Sequence, residues 1–248
     1  MHIQAITLFP EMFTALTGYG VTGRALQHGR WQFTAINPRQ YADNPLGYID
    51  DRPFGGGPGM IMMAPPLQSA IDVARDTCPQ GKLIYMSPQG KLLTHSLAIS
   101  LAQESAIIVL CGRYEGIDER ILTSNKITEI SIGDFVVSGG ELPAMMLMDA
   151  VIRLLPGTLG DKRSAVEDSF VNGLLDCPHY TRPVEFRQQT VPDVLRSGNH
   201  ALIAQWRLTQ SLRRTLIRRP DLLIDRVLTP EESSLLQKIK QEEREIPS

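Results

Sequence analysis

Cysteine, tryptophan and long apolar runs are all scarce in this chain of 248 residues. The three cysteines, Cys78, Cys111 and Cys177, are odd in number, far apart, and never spaced as C-x-x-C. That pattern excludes a disulfide framework and a cysteine-paired zinc site, and it points to a reducing, cytoplasmic setting. The longest uninterrupted apolar run, 106–111, is far too short to cross a bilayer, so no membrane association is expected. The opening MHIQAITLFPEMF lacks the basic segment and small-residue cleavage site of a secretory signal. Five histidines (His2, His28, His95, His179, His200) show no metal-ligand spacing, and no G-x-S-x-G elbow occurs. A G-x-x-x-x-G-K-[ST] phosphate loop is also missing, since both Gly-Lys pairs, at 81–82 and 90–91, run on into leucine.

What is present is a foldable chain. The apolar fraction of 42% excludes disorder, and the 20 glycines and 17 prolines are spread rather than periodic. The net charge of −2 hides a division. Residues 182–219 hold eight arginines, no lysine and two acids, between flanks that are both net acidic. Arginine suits bidentate phosphate contact and stacking on bases. A solvated helix face and a nucleic-acid surface are both open readings, and Trp206 and His200 in the block fit the second. So short a patch in an acidic protein implies a specific polyanion docking site, not general coating of nucleic acid, and DNA is not an expected partner.

Short apolar runs alternate with helical periodicity in the first two thirds. Strands are expected at 3–8, 32–36, 83–86, 106–111 and 127–132, the fourth so uniformly apolar that both its faces should be buried. Helices are expected after Pro65-Pro66, after a Thr94 cap, and over 142–155. The fold class is therefore α/β with a mostly parallel sheet, whose ligands sit at the carboxyl ends of the strands. Residues 160–172 read as a flexible linker between a first domain, 1–159, and a small all-helical C-terminal domain, 173–248.

Three strand ends run into unusual loops: Ser87-Pro88-Gln89-Gly90, then Gly112-Arg113-Tyr114-Glu115-Gly116, then a stretch from Gly133 through Ser138-Gly139-Gly140-Glu141. Each alone is compatible with an ordinary tight turn. Three at successive strand ends make a pocket that binds through main-chain groups. The run Phe54-Gly-Gly-Gly-Pro-Gly-Met60, after Asp50-Asp51, reads equally as a hinge or a substrate-facing loop. Gly18-Tyr-Gly20-Val-Thr-Gly23 satisfies G-x-G-x-x-G with Asp43 downstream, but it does not directly follow a strand, and too few residues precede Gly29 for a crossover helix. Asp168 lies in the polar linker and Arg153 at the end of the methionine-rich helix; spacing alone promotes neither.

Taken in order, these stretches resemble a known family. Asp50-Asp-x-Pro-Phe-Gly-Gly-Gly-Pro-Gly-Met60, Tyr85-Met-Ser-Pro-Gln-Gly90, Cys111-Gly-Arg-Tyr-Glu-Gly-Ile-Asp118, Ser131-Ile-Gly-Asp-Phe-Val-Val-Ser-Gly-Gly-Glu-Leu-Pro143, Glu167-Asp-Ser-Phe170, Leu174-Leu-Asp-Cys-Pro-His-Tyr-Thr-Arg-Pro183 and Ser197-Gly-Asn-His200 resemble the bacterial tRNA (guanine-N1)-methyltransferases of the knotted SPOUT superfamily. The resemblance runs from Ile3 to about Leu228. It implies a deep trefoil knot closing the first domain, a homodimer with shared active sites, and S-adenosyl-L-methionine held by Tyr85, Ser87, Pro88, Gly112, Tyr114, Glu115, Ile132, Gly133, Asp134, Phe135, Val136, Val137, Gly139 and Gly140. It implies Asp168 as general base, lent by the partner subunit, and Arg153 as the group that steadies charge on O6. Asp50, Gly57, Pro58, Gly59, Ser164, His179, Arg182, Arg213 and Arg214 would meet the tRNA anticodon stem-loop. The implied product is 1-methylguanosine immediately 3′ of the anticodon (tRNA position 37), where a guanosine precedes it. A knotted methyltransferase acting on ribosomal RNA is the alternative. Magnesium (Mg2+) dependence is implied too, but no all-protein cage is visible and no metal ligand is assigned. Phe135 and Val137 stand where many relatives carry Tyr and Leu, so no phenol is available at 135.

Overall fold

The uniformly apolar stretch Ala106–Leu110 forms a strand whose five residues are all buried. It is the middle strand of a five-stranded sheet. In the computed structural model, which describes residues 1–160 and 168–245, the chain divides into two compact units, Met1–Lys162 and Arg163–Ser248. The sheet belongs to the first unit. Its strands are β1 (His2–Ile6), β2 (Gln32–Ile36), β5 (Lys82–Leu92), β6 (Ala106–Leu110) and β7 (Thr128–Ser131), while β3 (Asp50–Asp51) and β4 (Ile61–Met62) form a separate antiparallel hairpin. The order is β2-β1-β6-β5-β7, and every neighbouring pair is parallel.

Both faces of this sheet are covered, which is why β6 lacks the polar alternation of a half-exposed strand. Ile107 and Val109 pack with residues of α1 (Thr14–Thr17), α2 (Gly20–Gln27), α4 (His95–Ala102) and α6 (Glu141–Ile152). Ile108 and Leu110 point the other way, to α3 (Ala64–Thr77) and α5 (Glu119–Asn125). Local signals set the helix starts. Pro65 and Pro66 occupy the first turn of α3, where their missing N–H groups cost nothing. The Thr94 hydroxyl accepts the Leu97 N–H at 3.2 Å and opens α4, as its sequence position predicts.

Two expectations about this unit need correction. The G-x-G-x-x-G run is not followed by a chain too short for a helix: α2 begins inside it, at Gly20. A Cβ on Gly23 would lie 2.9 Å from the Gly18 carbonyl carbon, so Gly23 serves close packing of α2 against the end of α1. Strand β5 does not end at Met86. Residues 87–90 bulge out and the strand resumes, so that Met86 and Lys91 both lie opposite Ile130 on β7. The rejoining point needs glycine, because a Cβ on Gly90 would sit 2.4 Å from the backbone of Glu129 and Ile130. Gly90→Ala is therefore expected to cost at least about 2 kcal/mol, an overpacking penalty with no flexible side chain to absorb it. Urea denaturation measures this, and a wild-type midpoint would show that the bulge relaxes freely.

The second unit is built from α7 (Asp193–Arg196), α8 (His200–Arg218) and α9 (Pro230–Glu245) around Leu174, Leu212, Leu235, Leu236 and Ile239. It is not all helical: β8 (Glu185–Phe186) pairs antiparallel with β9 (Gln189–Thr190). The two-residue turn places Arg187 and Gln188 at φ of 50° and 64°. Such a turn ordinarily carries Asn-Gly or Asp-Gly, and without that signature the hairpin was not legible. Of the expected linker, residues 161–167, Ser164 among them, lie outside the described residues. Beyond them, the Ser169 hydroxyl accepts the Asp176 N–H at 2.9 Å. Among the described residues no helix is long and apolar enough to cross a membrane.

Candidate active site

The bulge within β5 and the loops that follow β6 and β7 border a cavity of about 190 Å³. Its walls are 85–88 from the β5 bulge, 112–116 after β6, and 130–143 around the β7 end and the start of α6. Twelve of the fourteen residues expected around the cofactor line it: Tyr85, Ser87, Pro88, Gly112, Tyr114, Glu115, Ile132, Phe135, Val136, Val137, Gly139 and Gly140. Gly133 and Asp134 do not. Gly133 is instead turned onto the Ser131 hydroxyl, which donates to its carbonyl at 3.0 Å and accepts its N–H at 3.1 Å.

The cavity's shape depends on close backbone approach. The Gly140 N–H donates to the Gly112 carbonyl at 2.8 Å. A Cβ on Gly140 would fall 2.8 Å from both Cys111 Cα and the Gly112 nitrogen, so only glycine lets α6 begin against the end of β6. Tyr85 forms the floor, and burial, reinforced by the charge of Glu129, pushes its phenol up to about 12. It therefore stays protonated at any ordinary pH. Burial, aided by Glu141 and opposed by Arg113, likewise pushes the Cys111 thiol well up, which makes it packing and not a nucleophile. At the lip, Tyr114 holds φ of 60°, a left-handed backbone that a tyrosine rarely adopts.

Sequence reasoning missed Arg113. Its Nε donates to Glu141 Oε2 at 2.7 Å, and Thr7 Oγ1 donates to the other carboxylate oxygen at 2.9 Å. The guanidinium also lies over the Phe9 ring, 4.5 Å from its centroid, and donates to the Ser138 carbonyl. Glu141 is completely buried. One ion pair thus ties the end of β1, the β6 loop and the first turn of α6 together. Met86, Gly116, Ile130, Ser131 and Pro143 also line the cavity, with no role assigned to them from the sequence. All six lie within or beside the quoted motifs, but which residues turn inward is a matter of tertiary geometry.

The glycine-rich loop is the tip of the β3–β4 hairpin, with Gly55, Gly56, Gly57 and Gly59 all at positive φ. It is anchored to the cavity wall. The Glu115 N–H donates to the Met60 carbonyl at 2.9 Å, the Met62 N–H to the Gly116 carbonyl at 3.0 Å, and the Glu115 side chain packs on Gly59. Asp50, Gly57, Pro58 and Gly59 therefore sit on an arm fixed to the loop that carries Tyr114 and Glu115. Arg153 caps the end of α6 in the first unit. Asp168 stands at the first described position of the second.

Also in the second unit, His179 Nε2 lies 2.7 Å from Asp176 Oδ2. Burial alone would raise the Asp176 carboxyl, but the hydrogen bonds from His179 and the Cys177 backbone outweigh it and hold that carboxyl low. Asp176, Cys177 and His179 bring a carboxylate, a thiol and an imidazole within 4.8 Å of one another, a grouping that histidine spacing did not signal. Arg182 and Arg214 form no ion pair among the described residues, whereas Arg213 is bound by Glu242 and by Glu243, the latter at 3.0 Å.

Comparison with known proteins accounts for this arrangement. Residues 1–225 match the family model for tRNA (Guanine-1)-methyltransferase TrmD. The tRNA (guanine-N(1)-)-methyltransferase of Neisseria meningitidis serogroup B is 69% identical over 249 residues, covering all of both chains. That of Chromobacterium violaceum is 59% identical over 98% of this chain and 97% of its own, and that of Dechloromonas aromatica 56% identical over 98% of each. With the motifs in order, a cavity bordered by the β5 bulge and the loops after β6 and β7, and a family match over nine tenths of its length, the chain belongs to the tRNA (guanine-1)-methyltransferase TrmD family.

Proposed function

We propose that this tRNA (guanine-N1)-methyltransferase binds S-adenosylmethionine in the three-loop cavity and methylates N1 of the guanosine immediately 3′ of the anticodon, in tRNAs where a guanosine precedes it. The observation that carries the reading is the cavity itself, lined by 85–88, 112–116 and 130–143 with glycines at 112, 116, 139 and 140. In this reading the three loops are the trefoil knot. Family membership favours transfer RNA over ribosomal RNA as the substrate.

The residues fit the group they are asked to hold. Gly112, Gly116, Gly139 and Gly140 put backbone without side chains along the cavity, where a purine and ribose would approach main-chain groups closely. S-adenosylmethionine, when bound, supplies a methyl group made electrophilic by the sulfonium. The chain does the rest. Guanine N1 carries a proton and is a poor nucleophile until it leaves. Asp168, supplied by a second copy of the chain, accepts that proton as a general base. Negative charge then grows on O6, where Arg153 stabilises it; such positioned charge is worth roughly 3–4 kcal/mol. The working unit is a homodimer, cytoplasmic as its substrate is. The chain is divided at 160–172 between a methyltransferase domain (1–159) and a tRNA-binding domain (173–248). Magnesium belongs to the same reading, with no ligand assigned.

Labelled S-adenosylmethionine and tRNA transcripts differing only in the base before the target guanosine test this. Label should enter the transcript with the preceding guanosine and yield 1-methylguanosine on digestion. Equal labelling of all transcripts, or label in another nucleoside, would overturn the assignment.

A further inference from the structure

The arginine block divides into two populations with different electrostatic roles. Arg213 is bound by two carboxylates of α9, those of Glu242 and Glu243, and only 28% of its side chain is exposed. Arg219 is bidentate to Asp221, and Arg196 pairs with Asp193. Arg207, Arg214 and Arg218 form no ion pair among the described residues, and α8, which carries them, contains no acidic residue. At 3.6 residues per turn, positions 207, 214 and 218 fall within about 40° of one another around the helix, spaced by about 10 and 6 Å along it. His200 and Ser211 share their azimuth. The buried Leu212 lies about 120–160° from these arginines and the buried Thr215 about 60–100°, and Arg213 is turned about 100° away from Arg214, toward α9.

We infer that Arg207, Arg214 and Arg218 form a single phosphate-binding stripe for a base-paired RNA stem, and that the neighbouring Arg213 takes no part. This rests on the proposed reading of the chain as a tRNA enzyme and specifies which cations grip the RNA. The physical reason is local charge. The stripe presents three cations with no acid among them, and each phosphate it neutralises releases counterions. Arg213 with Glu242 and Glu243 is a net −1 cluster, so an approaching phosphate meets more repulsion than attraction. Freeing the guanidinium would also strand two carboxylates beside one another. Arg213 thus fastens α9 to α8, adding to the apolar contacts of Leu212, Leu235, Leu236 and Ile239.

The test is the salt dependence of tRNA-transcript binding to the full chain, with methyl transfer to the same transcript measured in parallel. Arg207→Ala, Arg214→Ala and Arg218→Ala should each lower the log–log salt slope by about one, and the triple variant by about three. The corresponding lysine variants should keep the slope, which separates lost charge from lost folding. Arg213→Ala should keep the wild-type slope while lowering thermal stability. In the Glu242→Gln/Glu243→Gln background, where Arg213 is released, Arg213→Ala should lower the slope. If Arg213→Ala reduces the wild-type slope as much as Arg214→Ala does, or the triple variant leaves it intact while the wild type still methylates tRNA, the stripe is refuted and the tRNA reading stands. If the wild type neither binds nor methylates tRNA, the reading beneath it fails instead.

Discussion

Asp168→Ala should lower turnover by roughly a hundredfold or more while leaving S-adenosylmethionine affinity nearly unchanged. The expectation follows from division of labour. The cavity that would hold the methyl donor is built wholly from residues of the first unit, 85–143, whereas Asp168 belongs to the second. A carboxylate that only accepts the N1 proton contributes to the transition state and not to the donor complex, so kcat falls and calorimetric donor binding persists. Asp168→Asn sharpens the comparison, since it keeps shape and hydrogen bonding but cannot take up a proton. A variant that loses donor affinity in step with turnover would remove Asp168 from the general-base role. Mixing Asp168→Ala with Arg153→Ala chains adds a second readout. If each site draws its base from the sister chain, mixed dimers regain one intact site and part of the activity, and no recovery would contradict a shared site.

The second large effect is expected at Arg113. Truncation to alanine strands the fully buried Glu141 carboxylate with only the Thr7 hydroxyl beside it. Breaking one side of a buried pair costs about 3–5 kcal/mol, because the remaining charge has lost its water and its partner. For a chain of this size that is a fall in melting temperature of about 6–20 °C. Replacing both members by apolar residues, Arg113→Met with Glu141→Leu, should recover much of the loss. The double variant is nonetheless expected to bind the donor poorly, since the pair also holds the β6 loop against the first turn of α6. Thermal unfolding reads the first effect and calorimetry the second. A double variant no more stable than Arg113→Ala would show that packing, not the stranded charge, carries the cost.

The acidic helix α9 lies past the end of the family match at residue 225, yet it supplies Leu235, Leu236 and Ile239 to the core of the second unit. Its role is therefore structural at least as much as electrostatic, which explains why arginines that read as one block in the sequence divide so sharply in the fold.

Several features were legible in the residues alone because their causes are local. Five apolar runs became five strands, Thr94 capped α4, and the three glycine-bearing segments converged on one cavity, though the first proved a bulge within β5. In each case the deciding physics, apolar burial on two faces or a hydroxyl three residues from an N–H, acts within a few positions of the chain. Other features needed the third dimension. The return of β5 to Ile130 through Gly90 depends on the backbone of β7, about forty residues further along the chain. The Arg113–Glu141 pair spans 28 residues, and Arg213 meets Glu242 and Glu243 across 29 and 30. The alternation of apolar runs with helical periodicity determined that this chain folds as a parallel α/β sheet with a basic segment after it, and its ordered motifs announced the family. Which side chains turn inward, and which arginines keep their charge available to a polyanion, was decided only by packing, because desolvation and ion pairing depend on what lies within a few ångströms in space and not on what comes next in the chain.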